Sequence, residues 1–305
     1  MKAKTIKSVL CKKFRAWLES IEDEPLRQLA AENSIITGGS IASMLIGEKV
    51  NDYDLYFRTK EVAEKMAKYY VDQFKKNPTP KFAGGGEVTI TVWVTEDRVK
   101  IVVKSAGIAG EEANDNYKYF EQIQDPESID AAEYVEDVTK AVDDAKDKTK
   151  KPFRPIFLST NAITLADDIQ IVIRFWGEPD QIHENYDFIH CTNYWTSWDN
   201  HLELRPKALE ALLARELRYV GSKYPVCSLI RTRKFIKRQW VINAGQFLKM
   251  VMQVNDLDLT NLSVLEDQLT GVDAAYFEQL VQALRERDPE RVDKAYLVEI
   301  IDRIF

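Results

Sequence analysis

Apolar positions recur at helical spacing from Ile6 to Ile21, where Val9, Leu10, Phe14, Trp17 and Leu18 fall on one side; a second short helix is predicted over Glu24–Asn33. The period then changes. Ser34–Phe57 reads SIITGGSIASMLIGEKVNDYDLYF: a short apolar strand, a Gly38-Gly39-Ser40 turn that opens a helix, and a returning strand in which Asp52 and Asp54 flank Tyr53. Helical spacing resumes over Thr59–Lys75, with Val62, Met66, Tyr69, Tyr70 and Phe74 on one side. Beyond the Pro- and Gly-rich loop NPTPKFAGGGE, the alternation of Val88, Ile90, Val92 and Val94 and the return over Val99–Lys104 predict a hairpin.

Residues 105 to 158 break the pattern with an acidic, alanine-rich body and the exit KPFRPIF, which reads as an insertion carrying helix. Strands resume at Asn161–Leu165 and Ile169–Phe175 around a tight Ala-Asp-Asp turn, and a further strand is predicted at Tyr186–Cys191. From Pro206 onward the pattern is almost wholly helical, with breaks near Gly221–Pro225, Asn255–Asp258 and Asp288–Pro289. Together these elements predict an α+β fold. Residues 1–205 would form a mixed sheet flanked by helices, carrying the insertion at about 105–158, and residues 206–305 an all-helical domain.

Composition narrows the function classes. A chain of 305 residues can bury the cores of two domains, and no apolar run is long enough to span a membrane. The N-terminal MKAKTIKSVLCKKFRAW lacks the apolar core of a signal peptide. The three cysteines, Cys11, Cys191 and Cys227, are too scattered for a disulfide framework or a zinc site, so a reducing cytoplasm is the expected location. A net charge of −7 disfavours wholesale nucleic-acid binding, yet the charge is uneven: residues 111–147 are acidic, whereas SLIRTRKFIKR at 228–238 is basic. A nucleotide or nucleic-acid partner is therefore assigned to the second region.

The chemistry concentrates around Gly38–Asp54. Residues two apart in a strand point to one face, so the carboxylates of Asp52 and Asp54 aim at one spot beside the glycine turn. Gly38 and Gly39 let backbone amides approach a phosphate, the helix that begins there directs its N–H groups at the anion, and Ser40 adds a hydroxyl. Clustered carboxylates stay ionised beside a hard cation, Mg²⁺ or Mn²⁺. The candidate third carboxylate is Asp187, in the strand-like Tyr186-Asp187-Phe188-Ile189, expected beside Asp54 in the same sheet; a strand-initiating cap is the other reading. Asp167 and Asp168 read as a turn. Arg231, Lys234 and Arg238 share one helical face that either meets a triphosphate or RNA backbone or faces solvent, with Arg233 and Lys237 on another. Arg174 either reaches the triphosphate or pairs with Glu178 or Asp180. His183, His190 and His201 lack metal-ligand spacing and read as structural. Tyr194, Trp195 and Trp198 read as packing residues before base-stacking ones.

The order of GGS, a helix ending in Met44-Leu45-Ile46-Gly47, DYD, a later DF element and a helical second half resembles the DNA polymerase beta superfamily of nucleotidyltransferases. The chain is most similar there to the head and neck of bacterial tRNA nucleotidyltransferases, the CCA-adding enzymes, and their poly(A) polymerase relatives. The resemblance implies an enzyme that moves a nucleoside monophosphate from an NTP to a hydroxyl, first of all a tRNA-like RNA 3′ end, releasing pyrophosphate. It implies Mg²⁺ or Mn²⁺ on Asp52, Asp54 and Asp187, and phosphates held by Gly38, Gly39 and Ser40. Ile230-Arg231, Lys234-Phe235 and Arg238 match the neck helix. Two departures stand out: Cys227-Ser228 occupies the place of the family's base-selecting acidic pair, and Asn185-Tyr186-Asp187-Phe188 lacks the arginines of Arg-Arg-Asp-Phe. These leave open a protein acceptor, synthesis of a signalling oligonucleotide in the manner of toxin or antiviral-defence enzymes, and a catalytically degenerate module that binds RNA or protein.

Overall fold

The structure, a computed structural model, describes residues 1–76, 88–105, 151–269 and 294–304. The fold is α+β, a seven-stranded mixed sheet with flanking helices and a helical C-terminal part. Two compact units divide the described residues: the first holds 1–76, 88–105, 151–183 and 190–213, the second 184–189, 214–269 and 294–304.

In the first unit α1 (Ala3–Glu19) buries Ile6, Leu10, Phe14 and Trp17, the stripe its period predicts. Trp17 also donates from Nε1 to the Tyr70 hydroxyl over 2.8 Å, which satisfies a polar atom that burial would otherwise strand. α2 (Glu24–Asn33) starts where the Asp23 side chain accepts from the Leu26 N–H at 2.9 Å and Pro25 occupies the first turn. β1 (Ser34–Thr37) is buried along its whole length, as a central strand must be. α3 (Gly39–Ile46) follows, then β2 (Tyr53–Phe57) and α4 (Lys60–Lys76), which buries Val62, Met66, Tyr70 and Phe74. β3 (Val88–Val94) and β4 (Val99–Ser105) make the predicted hairpin, a two-stranded sheet of its own.

β5 (Pro155–Leu158), β6 (Ala162–Leu165) and β7 (Ile169–Trp176) form an antiparallel meander. After α5 (Pro179–His183) come β8 (Tyr194–Thr196), β9 (His201–Glu203) and α6 (Pro206–Ala214). The sheet runs β5-β6-β7-β2-β1-β8-β9, and β2 and β7 pair in parallel. Trp195 of β8 is 1% exposed and meets Phe14 at 5.2 Å between ring centroids, so the core reading of that aromatic holds.

Two expectations are corrected here. Pro155–Leu158, assigned to the insertion, is an edge strand of the main sheet; the body of the insertion, 106–150, lies outside the described residues, as does the break at 288–289. Tyr186–Cys191 is no strand either. Asp187 sits in a bend, Phe188 makes one isolated bridge to Tyr219, and Ile189–Cys191 is a 3₁₀ turn. The apolar run that mimics a strand is instead packing: Phe188 lies 5.5 Å from Phe235 and 6.1 Å from Tyr219, edge to face.

The second unit is built from α7 (Pro225–Lys237), α8 (Ala244–Asn255), α9 (Leu262–Leu269) and α10 (Lys294–Ile304). Pro225 opens α7, and the Asn243 side chain caps α8 by accepting from the Gln246 N–H. Trp240, buried between these helices, closes on Phe235 at 5.6 Å.

Candidate functional site

The sharpest local geometry lies where β1 ends and α3 begins. Gly38 has φ 93° and ψ −149°, a conformation that essentially only glycine adopts, and its N–H donates to the Cys191 carbonyl at 3.1 Å. That amide is therefore spent on holding the turn. Gly39 is exposed, and a Cβ added there would meet nothing within 4 Å, so the first turn of α3 opens onto free space. Ser40 behind it is 2% exposed, and its Oγ has no hydrogen-bond partner among the described residues.

Antiparallel pairing places Thr37 opposite Asp54, one residue before the turn. Asp54 lies half-buried on β2, and Asp52 stands exposed just ahead of the strand. The structure thus brings Gly38, Gly39, Ser40, Asp52 and Asp54 to one corner of the first unit. Parallel register sets Asp54 beside Gln170 and Tyr53 beside Ile169, and the Tyr53 N–H donates to the Asp168 carbonyl at 2.8 Å.

Several residues that anchor this corner carry no motif. Thr37 Oγ1 lies 2.9 Å from the Asn193 carbonyl and 2.8 Å from His183 Nε2. A hydroxyl has one proton; given to the carbonyl, it leaves Nε2 as the donor and fixes the imidazole tautomer. Burial, reinforced by the Arg205 guanidinium, pushes the His183 pKa down to about 3, so the ring is neutral at pH 7. Lys13 on α1 donates to the Asp167 carbonyl at 2.8 Å, stands 3.9 Å from an Asp168 carboxylate oxygen, and lies over the Tyr53 ring at 5.2 Å. Asp167 and Asp168 are indeed a turn, both at φ 61°. The signal for these anchors is tertiary contact, which spacing along the chain does not encode.

The remaining candidates belong to other elements. Arg174 is buried on β7, donates to the Asp97 carbonyl at 3.2 Å and stacks on Phe175; Glu178 is held by Arg58 at 2.6 Å and Asp180 by Arg205. Asp187, Arg231, Lys234 and Arg238 belong to the second unit, and Asp187 is not a neighbour of Asp54 in the sheet. Asp187 is 8% exposed, with Arg231 Nη1 at 2.6 Å from Oδ2. Lys234 is exposed on α7, and Arg238 is the residue that ends that helix.

No three His, Cys, Asp or Glu side chains gather to hold a metal by themselves among the described residues. Mg²⁺ commonly takes one or two carboxylates and fills its shell with water and substrate phosphate, and the oxygen pair Asp52 and Asp54 fits that demand. The buried Ser40 hydroxyl at an open helix N-terminus fits a phosphate nearby. Among the described residues no helix is long and apolar enough to cross a membrane.

Residues 8–215 match the family described as "Gabija anti-defense 2 family protein". A relative named "Gabija anti-defense 2", from Bacillus phage SPbetaL7, is 23% identical over 128 residues, covering 41% of this chain and 32% of the relative, so the match spans about a third of that protein. No solved structure matches. The assignment to the DNA polymerase beta superfamily, and within it to tRNA nucleotidyltransferases, is overturned by this match, because short Gly-Gly and Asp-x-Asp elements recur in unrelated chains whereas the match runs through both the corner and its anchors. With more than half of its 305 residues matched, the chain belongs to the Gabija anti-defense 2 family.

Proposed function

We propose that the protein opposes the Gabija defence enzymatically, by transferring a nucleoside monophosphate from an NTP to a hydroxyl at the Gly38–Asp54 corner. The observation that carries this reading is the pairing of β1 with β2, which sets Asp54 opposite Thr37 and directly beside the open N-terminus of α3. Phosphate oxygens would lie against the free N–H groups of that first turn, with the Ser40 hydroxyl as a further donor. Asp52 and Asp54 would hold Mg²⁺, which supplies charge neutralisation for the triphosphate and for the departing pyrophosphate. In the transfer the acceptor oxygen forms a bond to the α-phosphorus, the bond from that phosphorus to the bridging oxygen breaks, pyrophosphate leaves with the electron pair, and the acceptor's proton passes to solvent.

The family description shifts the acceptor. In place of an RNA 3′ end, a protein bearing that family name is better served by modifying a hydroxyl on a component of the defence that the name says it opposes. The test combines purified protein, α-labelled NTPs, Mg²⁺ or Mn²⁺, and in parallel the Gabija proteins, total RNA or no acceptor. Label on a Gabija protein that disappears with Asp52→Asn or Asp54→Asn supports the reading. Undiminished suppression of the defence in cells by both variants overturns it in favour of action by binding alone.

A further inference from the structure

The helix α1 is charged on one side only. Between residues 2 and 19 stand six cations, Lys2, Lys4, Lys7, Lys12, Lys13 and Arg15, and one carboxylate, Glu19, in a chain of net charge −7. With Ile6, Leu10, Phe14 and Trp17 turned inward, a period of 3.6 sets Lys4, Ser8, Lys12 and Arg15 in one stripe on the opposite side, and all four are exposed. Lys7 flanks the stripe, partly buried. Lys13 is spent on the Asp167–Asp168 turn, whereas Lys4, Lys7, Lys12 and Arg15 make no ion pair among the described residues. α2, α3 and β9 pack against α1, and their carboxylates are engaged: Glu24 holds Arg27, Glu32 takes the Gln28 amide, Glu203 lies 3.1 Å from His201 Nε2, and α3 has no charged side chain.

This pattern costs the helix stability. Lys4 and Lys7, like Lys12 and Arg15, are like charges three residues apart, and Lys2 and Lys4 stand at the positive end of the helix dipole with no acidic residue in the first turn. A solvated face is built otherwise in the same unit, where α4 interleaves its charges and closes Glu61–Lys65 at 2.6 Å and Glu64–Lys68 at 2.5 Å. The basic run at 228–238 also differs, since its Arg231 is bound to Asp187. We propose that the outward stripe of α1 grips the phosphate backbone of double-stranded DNA, a function separate from the transfer at the Gly38–Asp54 corner. Lys4 to Arg15 spans about 16 Å of rigid helix, and duplex DNA carries about one negative charge per 1.7 Å, so the stripe can neutralise several phosphates at once. A protein partner is disfavoured because lysine is depleted at protein interfaces and this stripe offers no large apolar anchor. A lipid surface needs the apolar face of the helix, which here is buried in the core. Single strands are held by stacking on exposed aromatics, and Phe14 and Trp17 are buried. Duplex RNA is read largely through its 2′-hydroxyls, for which the stripe supplies one hydroxyl, Ser8, among charges.

The experiment titrates full-length protein with a labelled random-sequence DNA duplex from about 50 to 200 mM salt, comparing the wild type with Lys4→Gln/Lys12→Gln/Arg15→Gln and with Lys65→Gln/Lys68→Gln on α4. The α1 variant is expected to bind at least tenfold more weakly at the lower salt, and its plot of log affinity against log salt should be shallower by about 3. The α4 variant is expected to bind as the wild type does. Thermal melting of the α1 variant should be unchanged or raised, because like charges have been removed, so weaker binding cannot be ascribed to misfolding. No duplex binding by the wild type overturns the proposal, as does an unchanged salt slope in the α1 variant or an equal loss in the α4 variant. So does binding of duplex RNA, of anionic vesicles or of a Gabija protein through the stripe in preference to DNA. Asp54→Asn keeps the two readings apart: it is expected to bind DNA with wild-type affinity while transferring no label, and failure of either result leaves the other standing.

Discussion

Arg231 donates from Nη1 to Oδ2 of Asp187 over 2.6 Å, and both residues belong to the second unit. The pair pins the 184–189 segment to α7 while the Val220 N–H donates to the Asp187 carbonyl at 3.0 Å. The Asp187 carboxylate is buried and the Arg231 side chain 40% exposed, so the ion pair is partly screened. Asp187→Asn is expected to lower stability by about 1.5–3 kcal/mol, the range for a hydrogen bond to a charged group, and to leave the Mn²⁺ affinity proposed for Asp52 and Asp54 unchanged. Denaturant melts with a parallel Mn²⁺ titration check this; a loss of metal affinity would restore Asp187 to the site.

Gly38 and Gly39 are expected to respond differently to alanine. Gly38→Ala forces a side chain into φ 93° and should cost about 1–3 kcal/mol. Gly39→Ala begins a helix with open space around it and should be neutral or stabilising by up to about 1 kcal/mol. If a phosphate closes on the α3 N-terminus, the methyl group at Gly39 obstructs it, so this variant should fold normally and lose NTP-dependent labelling. Retained labelling would place the phosphate elsewhere.

His183 ties stability to pH. Its folded pKa of about 3 lies below the ordinary 6.5, so between those values the unfolded chain binds the extra proton. This contribution is constant above pH 6.5 and is lost as pH falls toward 3, with a limiting slope of about 1.4 kcal/mol per pH unit. His183→Gln, which can still donate to Thr37, should flatten that slope in melts taken from pH 7.5 to 4.5.

Lys13 fixes the turn on which the start of β2 depends. Lys13→Met removes the bonds to Asp167 and Asp168 but leaves Tyr53 and its neighbours in sequence intact. Because the Tyr53 N–H is bonded to the Asp168 carbonyl, loosening the turn should weaken Mn²⁺ binding at Asp52 and Asp54 several-fold, with partial rescue by Lys13→Arg. Unchanged Mn²⁺ affinity would confine Lys13 to packing.

The helices α1, α2 and α4, the β3–β4 hairpin and the corner at Gly38–Asp54 were legible because each rests on local periodicity or on one backbone conformation that only glycine accepts. Burial on one face repeats every 3.6 or 2 residues, and that repeat is written in the chain. What spacing could not supply was the partner of each polar group. Asp187 looked like a ligand in a strand because Tyr-Asp-Phe-Ile has a strand's composition; only the folded chain, by bringing Arg231 to it and Phe188 to Phe235, makes the segment a pinned bend. In α8, apolar residues lie on every side, and it is the fold that buries Met250 and bonds Gln246 and Gln253 to Tyr219 while Leu248 and Met252 face solvent. The sequence by itself determined where chain direction and period change. Tertiary structure decided which side chains meet, because pairing energies depend on distances that residues far apart in the chain acquire only on folding.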